Sequence, residues 1–335
     1  MRHFITLLLF ITSAAAAVAD SIPTFSYMPQ ISGTLRARWE DDLTDGESRF
    51  QVRNARLSIQ GDVAPEISYF FQTDLCDRGK MKILDAYGQL GIIKGLNLRA
   101  GQFRMPMGVE TFRHPANYIF ANRSTVGKTC NYRAVGARLH YQLPKLPLMI
   151  EAGVFSPWAI GDHDKWSKAM TFGSKVQYYL GEWTFTTGFQ SVKPAELRMN
   201  YFDLSVAWHS ARWQVEAEYL SKHYLHTVLD HTDLWCVFGS YSMPVKAGIF
   251  NYLSFQGRWD GSTAGSDGTT ADDSGLPAIT DAARNRITAG ATISYRRTRV
   301  WVDLRVNYEK VFYHHDFTPA TGQGDRLLAE MVIHF

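Results

Sequence analysis

The stretch RVWVDLRVNYEKV, residues 299–311, alternates. Val300, Val302, Leu304, Val306 and Tyr308 make one row, and Arg299, Asp303, Arg305, Asn307 and Glu309 make the other. A side-chain period of two belongs to a β-strand with one greasy and one wet face, not to a helix. Residues 202–209 repeat it, with Phe202, Leu204, Val206 and Trp208 set against Asp203, Ser205 and His209. So do residues 327–335, LLAEMVIHF: Leu327, Ala329, Met331, Ile333 and Phe335 share a row, and Glu330 and His334 lie opposite. Chain ends are usually loose and polar; this one reads as built into a sheet, of a soluble sandwich or of a membrane barrel.

About sixteen such segments follow one another: 31–40, 49–60, 67–75, 82–91, 96–104, 132–143, 148–155, 171–180, 183–192, 201–210, 212–222, 233–242, 249–259, 285–297, 299–311 and 326–335. In 49–60 the apolar set switches from Phe50 and Val52 to Ala55, Leu57 and Ile59, which predicts a bulge near Arg53 and Asn54. The connections alternate in length. Short ones (GDVAPE, IIKG, PKLP, GE, SA, RT and the somewhat longer MPVKAG) separate long ones at 41–48, 76–82, 105–131, 157–170, 193–200, 223–230, 260–283 and 312–325. A sandwich has no reason to gather its long loops at one end. An all-β, transmembrane, antiparallel up-and-down β-barrel of about 16 strands does. The last strand then pairs with the first and leaves no edge in lipid. Barrels of ~16 strands enclose an aqueous channel.

The N-terminus agrees. Arg2 and His3 precede an apolar run over residues 4–11, and Ala17-Val18-Ala19 fits a small-x-small cleavage rule. The expected organisation is a signal peptide over 1–19, a lead-in over 20–30 and the barrel over 31–335, in a bacterial outer membrane. No other stretch nears the ~20 apolar residues of a spanning helix. The 16 Tyr, 9 Trp and 20 Phe would furnish interfacial aromatic girdles. A formal net charge of +3 is no nucleic-acid footprint. Cys76, Cys130 and Cys236 are odd in number and match no zinc spacing. Isolated thiols or a single Cys76–Cys130 bridge are open.

Two features bear on function. Segment 105–131 holds Val109, Phe112, Tyr118, Ile119 and Phe120, too apolar for an exposed tip, with Arg113, His114, Arg123 and Lys128 opposed only by Glu110. A long loop of this kind folds against something. The reading is an inward-folded constriction loop presenting cations; the alternative is an outer loop packed on its neighbours. Segment 260–283 is acidic and small-residue-rich, and is expected to be a mobile external loop. Alternation then selects inward side chains: Arg36 and Arg38; Arg56, Ser58 and Gln60; Asp85, Tyr87 and Gln89, with Leu84, Ala86, Gly88 and Leu90 toward lipid; Asn97, Arg99 and, at the loop's root, Arg104; Arg138 and His140. Arginine-rich walls make anion pores, and the planar guanidinium grips phosphate oxygens in pairs. Asp85 would temper that grip. Plain structural duty is the alternative for each arginine.

The segments VRNARLSIQGDVAPEISYFFQTDL, LDAYGQLGIIKGLNLRAGQFRMPMGVE and YRAVGARLHY resemble the phosphate-selective porin O and P family of bacterial outer membranes. The matching residues are Arg53, Arg56 and Leu57; Asp85, Ala86 and Tyr87; and Gly101, Gln102, Phe103, Arg104 and Pro106. Asn54 stands where the family has a paired arginine. The resemblance implies a sixteen-stranded barrel, commonly trimeric, with anion selectivity from a basic eyelet to which Arg53, Arg56, Asp85 and Arg104 contribute. The functional expectation is passive diffusion of small anions, phosphate or pyrophosphate, through a basic lumen. The alternatives are a general or sugar-permeable porin and, more remotely, a barrel hydrolase, for which no G-x-S-x-G or H-x-x-E-H pattern is present. No cofactor is called for, and His314, His315 and Asp316 are a weak metal candidate. Expected partners are outer-membrane lipid, a homotrimer, and the barrel assembly machinery through Phe335, with no nucleic acid.

Overall fold

Alternating rows leave the backbone one way to satisfy its hydrogen bonds in lipid: every strand must be paired on both edges. The computed structural model shows that solution. It describes residues 27–335 except 78, 131, 163, 195–196, 226, 228, 230, 270–277 and 315–316. The expected signal peptide, most of the lead-in, and His315 and Asp316 therefore lie outside the described residues. The strands are β1 (Gln30–Asp42), β2 (Glu47–Ala64), β3 (Ile67–Asp77), β4 (Lys80–Ile93), β5 (Leu96–Arg104), β6 (Arg133–Gln142), β7 (Leu148–Phe155) and β8 (Thr171–Leu180). They continue as β9 (Trp183–Val192), β10 (Met199–His209), β11 (Trp213–Tyr224), β12 (Thr232–Ala247), β13 (Phe250–Ser262), β14 (Arg284–Arg296), β15 (Trp301–Tyr313) and β16 (Arg326–His334). Each pairs antiparallel with its chain neighbours, and β16 closes on β1.

The two faces separate as the alternation requires. Phe71, Phe172, Phe202, Leu204, Trp259, Val306 and Met331 stand exposed on the outer wall. Arg36, Arg38, Glu40, Asp203, Arg258, Asp303, Arg305 and Glu309 are buried on the inner one. In β16 Glu330 faces inward as expected, but so do Leu328 and Val332, both buried. At the seam the backbones of Gly33 and Phe335 exchange hydrogen bonds of 2.9 and 3.1 Å. The Phe335 ring lies across Gly33, where a Cβ would collide with it.

The expected bulge is present: Arg36 pairs with Asn54 and Ala37 with Val52, so Arg53 is the extra residue. A second one was not legible. Gln72 pairs with Asp85 and Thr73 with Ile83, which leaves Leu84 bulged. Leu84 is therefore buried on the lumen side and not turned to lipid as the alternation implied. The first two outer connections shrink to residues 43–46 and 78–79, because the strands run on through 41–42, 47–48, 76–77 and 80–82. Segment 260–283 is also corrected in its described part. Asp260 and Ser262 belong to β13, and Ser266 turns back, buried, onto the Tyr224 hydroxyl. All three cysteines are free, so the Cys76–Cys130 bridge does not form.

Candidate functional site: the constricted lumen

Segment 105–130 enters the barrel. It carries single 3-10 turns at Glu110–Phe112 and Pro115–Asn117 and a short helix, α1 (Thr125–Thr129), capped by the Ser124 hydroxyl. Its apolar side is buried, as its composition demanded. Met105, Met107, Phe120, Val126 and Cys130 pack on Phe155, Val192, Met199, Tyr201, Leu220, Leu234 and Phe238 of β7 and β9 to β12. Gly188 of β9 makes room for it: a Cβ there would meet the Met107 sulfur at 2.9 Å. The loop thus fills the lumen beside β7 and β9 to β12.

Charged side chains pin the loop's backbone. Glu218 accepts from the Val109 amide at 2.7 Å, and Asp260 accepts from that of Thr125 at 2.8 Å. The Arg113 guanidinium donates to Glu216 at 2.6 Å. Arg36 and Arg38 donate to the Ala121 carbonyl at 2.7 and 3.2 Å, Arg258 to that of Asn122 at 2.8 Å, Arg286 to that of Arg123 at 2.7 Å and Arg305 to that of Tyr118 at 2.5 Å. Buried guanidiniums and carbonyls satisfy one another, and the loop is held across its length.

On its other side, space remains between the loop and the wall of β1 to β4. A cavity of about 260 Å³ lies there. Arg36, Arg53, Arg56, Lys82, Arg123, Lys128 and Arg133 line it, against the carboxylates of Asp74 and Asp77 alone. Arg56 pairs with Asp74 at 3.2 Å, Arg133 with Asp85 at 3.1 Å and the exposed Lys82 with Asp77 at 3.4 Å. Arg53 and Lys128 are exposed to the lumen and form no ion pair among the described residues. Arg123 donates to the Tyr118 hydroxyl at 2.5 Å and has no carboxylate partner among the described residues. Two loop groups register the positive field. Burial raises the Tyr118 hydroxyl's pKa, but Arg123, Arg104, Arg56 and Arg36 outweigh it and hold it below the ordinary value. Burial, followed by Arg56, His334, Arg104 and Arg133, pushes His114 down to about 3, so it is neutral near pH 7.

The expected residues therefore divide. Arg36, Arg53, Arg56, Arg123 and Lys128 come together on the open passage. Arg38 is bound to Glu40 at 2.5 Å, Arg138 to Glu151 at 2.7 Å and Arg113 to Glu216, all away from that cavity. Arg99 lies over the Tyr87 ring at 3.9 Å and donates to Gln89 at 2.8 Å. Arg104 is buried and donates to the Thr111 carbonyl. Asp85 serves Arg133 rather than the solute path. The sequence reading missed Lys82, Asp74 and Arg133. Lys82 lies beyond the Leu84 bulge, which reverses the row. Arg133 is out of step with Arg138 and reaches inward from the strand's first residue. No group of three or more His, Cys, Asp or Glu among the described residues is placed to hold a metal ion.

Comparison with known proteins places this architecture. Residues 54–221, half of the chain, match the family model of the OmpL-like beta-barrel porin-2 proteins, and the chain belongs to that family. No curated protein matches. Among solved structures it is similar to OmpF of Salmonella typhi, in complex with daunomycin (TM-score 0.63, 14% identity, 94% of this chain and 100% of that one). It is similar also to the anion-selective porin of Comamonas acidovorans (0.60, 12%, 92% and 98%). A third is OmpT of Vibrio cholerae in its trimer form (0.58, 12%, 92% and 98%). At these identities the likeness is one of fold. By family the chain is a β-barrel of the bacterial outer membrane and a porin-like channel.

Proposed function

We propose that this member of the OmpL-like porin family is a general diffusion porin whose eyelet favours small anions, with phosphate one permeant among several. One observation carries the reading: seven cationic side chains and two carboxylates line the open passage. A ring of that sign lowers the barrier for anions and raises it for cations. Strict phosphate selectivity fits less well. Arg36 is committed to Glu330 and a loop carbonyl, Arg56 to Asp74, and Asn54 takes the place of a further guanidinium. A greasy slide for sugars is not favoured either, since Tyr87, Tyr118 and Phe103 are stacked under Arg99, Arg36 and Arg138. Segment 1–19 serves export in this reading, and three copies assemble in the membrane.

The test is the reversal potential of purified channels in a planar bilayer under a KCl gradient. An anion-favouring sign is expected, with millimolar phosphate only weakly reducing the chloride current. A cation-favouring sign would overturn the reading, and strong phosphate block would replace it with the selective one.

A further inference from the structure

We propose that the outer mouth of the channel holds a second solute station, built for a hydroxylated organic anion of the sugar-acid class. The proposal rests on the porin reading and names a solute class for it. Across α1 from the eyelet lies a separate cavity of about 300 Å³, lined by Lys128, Lys222, Arg284, Asp267 and Asp281, with hydroxyls of Thr232, Ser262 and Thr263 between them. That volume is at the lower end of small-ligand sites.

The charges here are unlike those of the surrounding wall. Two residues from Arg284 on the same strand, Arg286 is bonded to Asp260 at 2.9 Å, and most cations pointing into the lumen are matched in this way. Among the described residues Lys128, Lys222 and Arg284 form no ion pair, and neither does the carboxylate of Asp281. Lys222 is 5% exposed. Its ammonium donates to the Ser266 carbonyl and lies 5.1 Å from the Tyr224 ring and 5.7 Å from that of Tyr201. A buried ammonium with no carboxylate in ion-pair contact is costly, and an arriving anion relieves that cost. Asp281 is kept at the rim by backbone pairing with Gly265 at 2.9 Å, and it forms no ion pair with Lys222. Cation and carboxylate thus face one cavity without touching.

That separation selects the solute. An inorganic anion meets Lys222, Lys128 and Arg284 but is repelled by Asp281 and Asp267. A neutral sugar satisfies Asp281 and leaves the cations unmatched. A carboxylate bearing hydroxyls uses both, because each hydroxyl can donate to an acid and accept from a neighbouring hydroxyl. Lys128 lines this cavity and the eyelet cavity alike. An anionic group leaving the station therefore meets the next cation of the route at the same side chain.

The experiment is single-channel recording on the full-length porin with glucuronate, acetate, glucose or serine added. Glucuronate is expected to interrupt the current at a concentration at least tenfold below that of the other three. Lys222→Met should raise the half-blocking concentration of glucuronate about tenfold, the equivalent of about 1.4 kcal/mol. Asp281→Asn, on the exposed lip, should raise it severalfold, and it decides the matter if Lys222→Met does not fold. Equal block by acetate and glucuronate, stronger block by serine, or glucuronate block unchanged in both variants would overturn the station. The wild-type KCl reversal potential judges the eyelet separately: an anion-favouring sign without glucuronate block leaves the eyelet reading standing and removes only the station.

Discussion

Glu330 holds two guanidiniums at once, Arg36 at 2.6 Å and Arg305 at 3.0 Å, and is 4% exposed. Each arginine also donates to a loop carbonyl, Arg36 to that of Ala121 and Arg305 to that of Tyr118. Removing one member of a buried charged cluster leaves the others uncompensated and costs ~3–5 kcal/mol. Glu330→Gln should therefore lower the barrel's thermal unfolding midpoint, read by heat-modified gel mobility, and make the open-channel current noisier as the loop loosens. An unchanged midpoint would show that the cluster contributes little. Arg53 predicts the opposite pattern. It is exposed, bulged and free of ion pairs among the described residues, so Arg53→Ser should leave the midpoint alone. A unit charge ~8 Å away in water is worth about 0.5 kcal/mol, so the variant's chloride-over-potassium preference should fall about twofold. Arg38→Ser, which removes a partner of Glu40 and Ala121, should do the reverse: a lower midpoint and little change in selectivity.

At the scale of the element, the constriction loop is a separate body seated in the barrel, apolar toward β7 and β9 to β12 and cationic toward β1 to β4. Replacing residues 109–128 by a short Gly/Ser link removes Arg123 and Lys128 but keeps Arg53 and Arg56. Conductance should rise severalfold and the anion preference should weaken without reversing, as planar-bilayer measurements would show. The loop's seating should also depend on acid. In the seated loop His114 is pushed down to about 3, while in a detached loop it titrates near its ordinary value of 6.5. The detached state therefore binds more protons between those values, and seating weakens as pH falls from about 6.5 toward 3. Current noise should grow over that window and not above pH 7. His114→Asn should abolish the His114 contribution, and an identical acid response in that variant would exclude it.

Taken whole, the molecule was legible in its sequence where a local pattern decides the outcome. The alternation of 299–311 and the one-sided long loops specify a closed barrel, and the apolar residues of 105–131 specify an inward loop. What was not legible depends on distant partners. Arg36 and Arg38 do face the lumen, but Arg36 is matched to Glu330, 294 residues away, and so holds the loop as well as lining the passage. Leu84 and Lys82 were misplaced or missed because one extra residue reverses a row. The seam between β1 and β16 joins the two kinds of information. Alternation puts Phe335 on the outer row, and only the closed structure shows its ring lying over Gly33, where a side chain would collide with it. The two positions separate recognition of the terminal aromatic from its packing. If the barrel assembly machinery reads the aromatic, deleting Phe335 should cut the yield of folded barrel in the membrane severalfold, while channels that do assemble keep wild-type conductance. Gly33→Val retains the aromatic and denies it its seat, so it should lower the unfolding midpoint and leave the yield near normal. Unchanged yield after the deletion would mean that Phe335 is not read during assembly, and a yield lost equally in both variants would mean that the packed seam, not the aromatic itself, is what assembly requires.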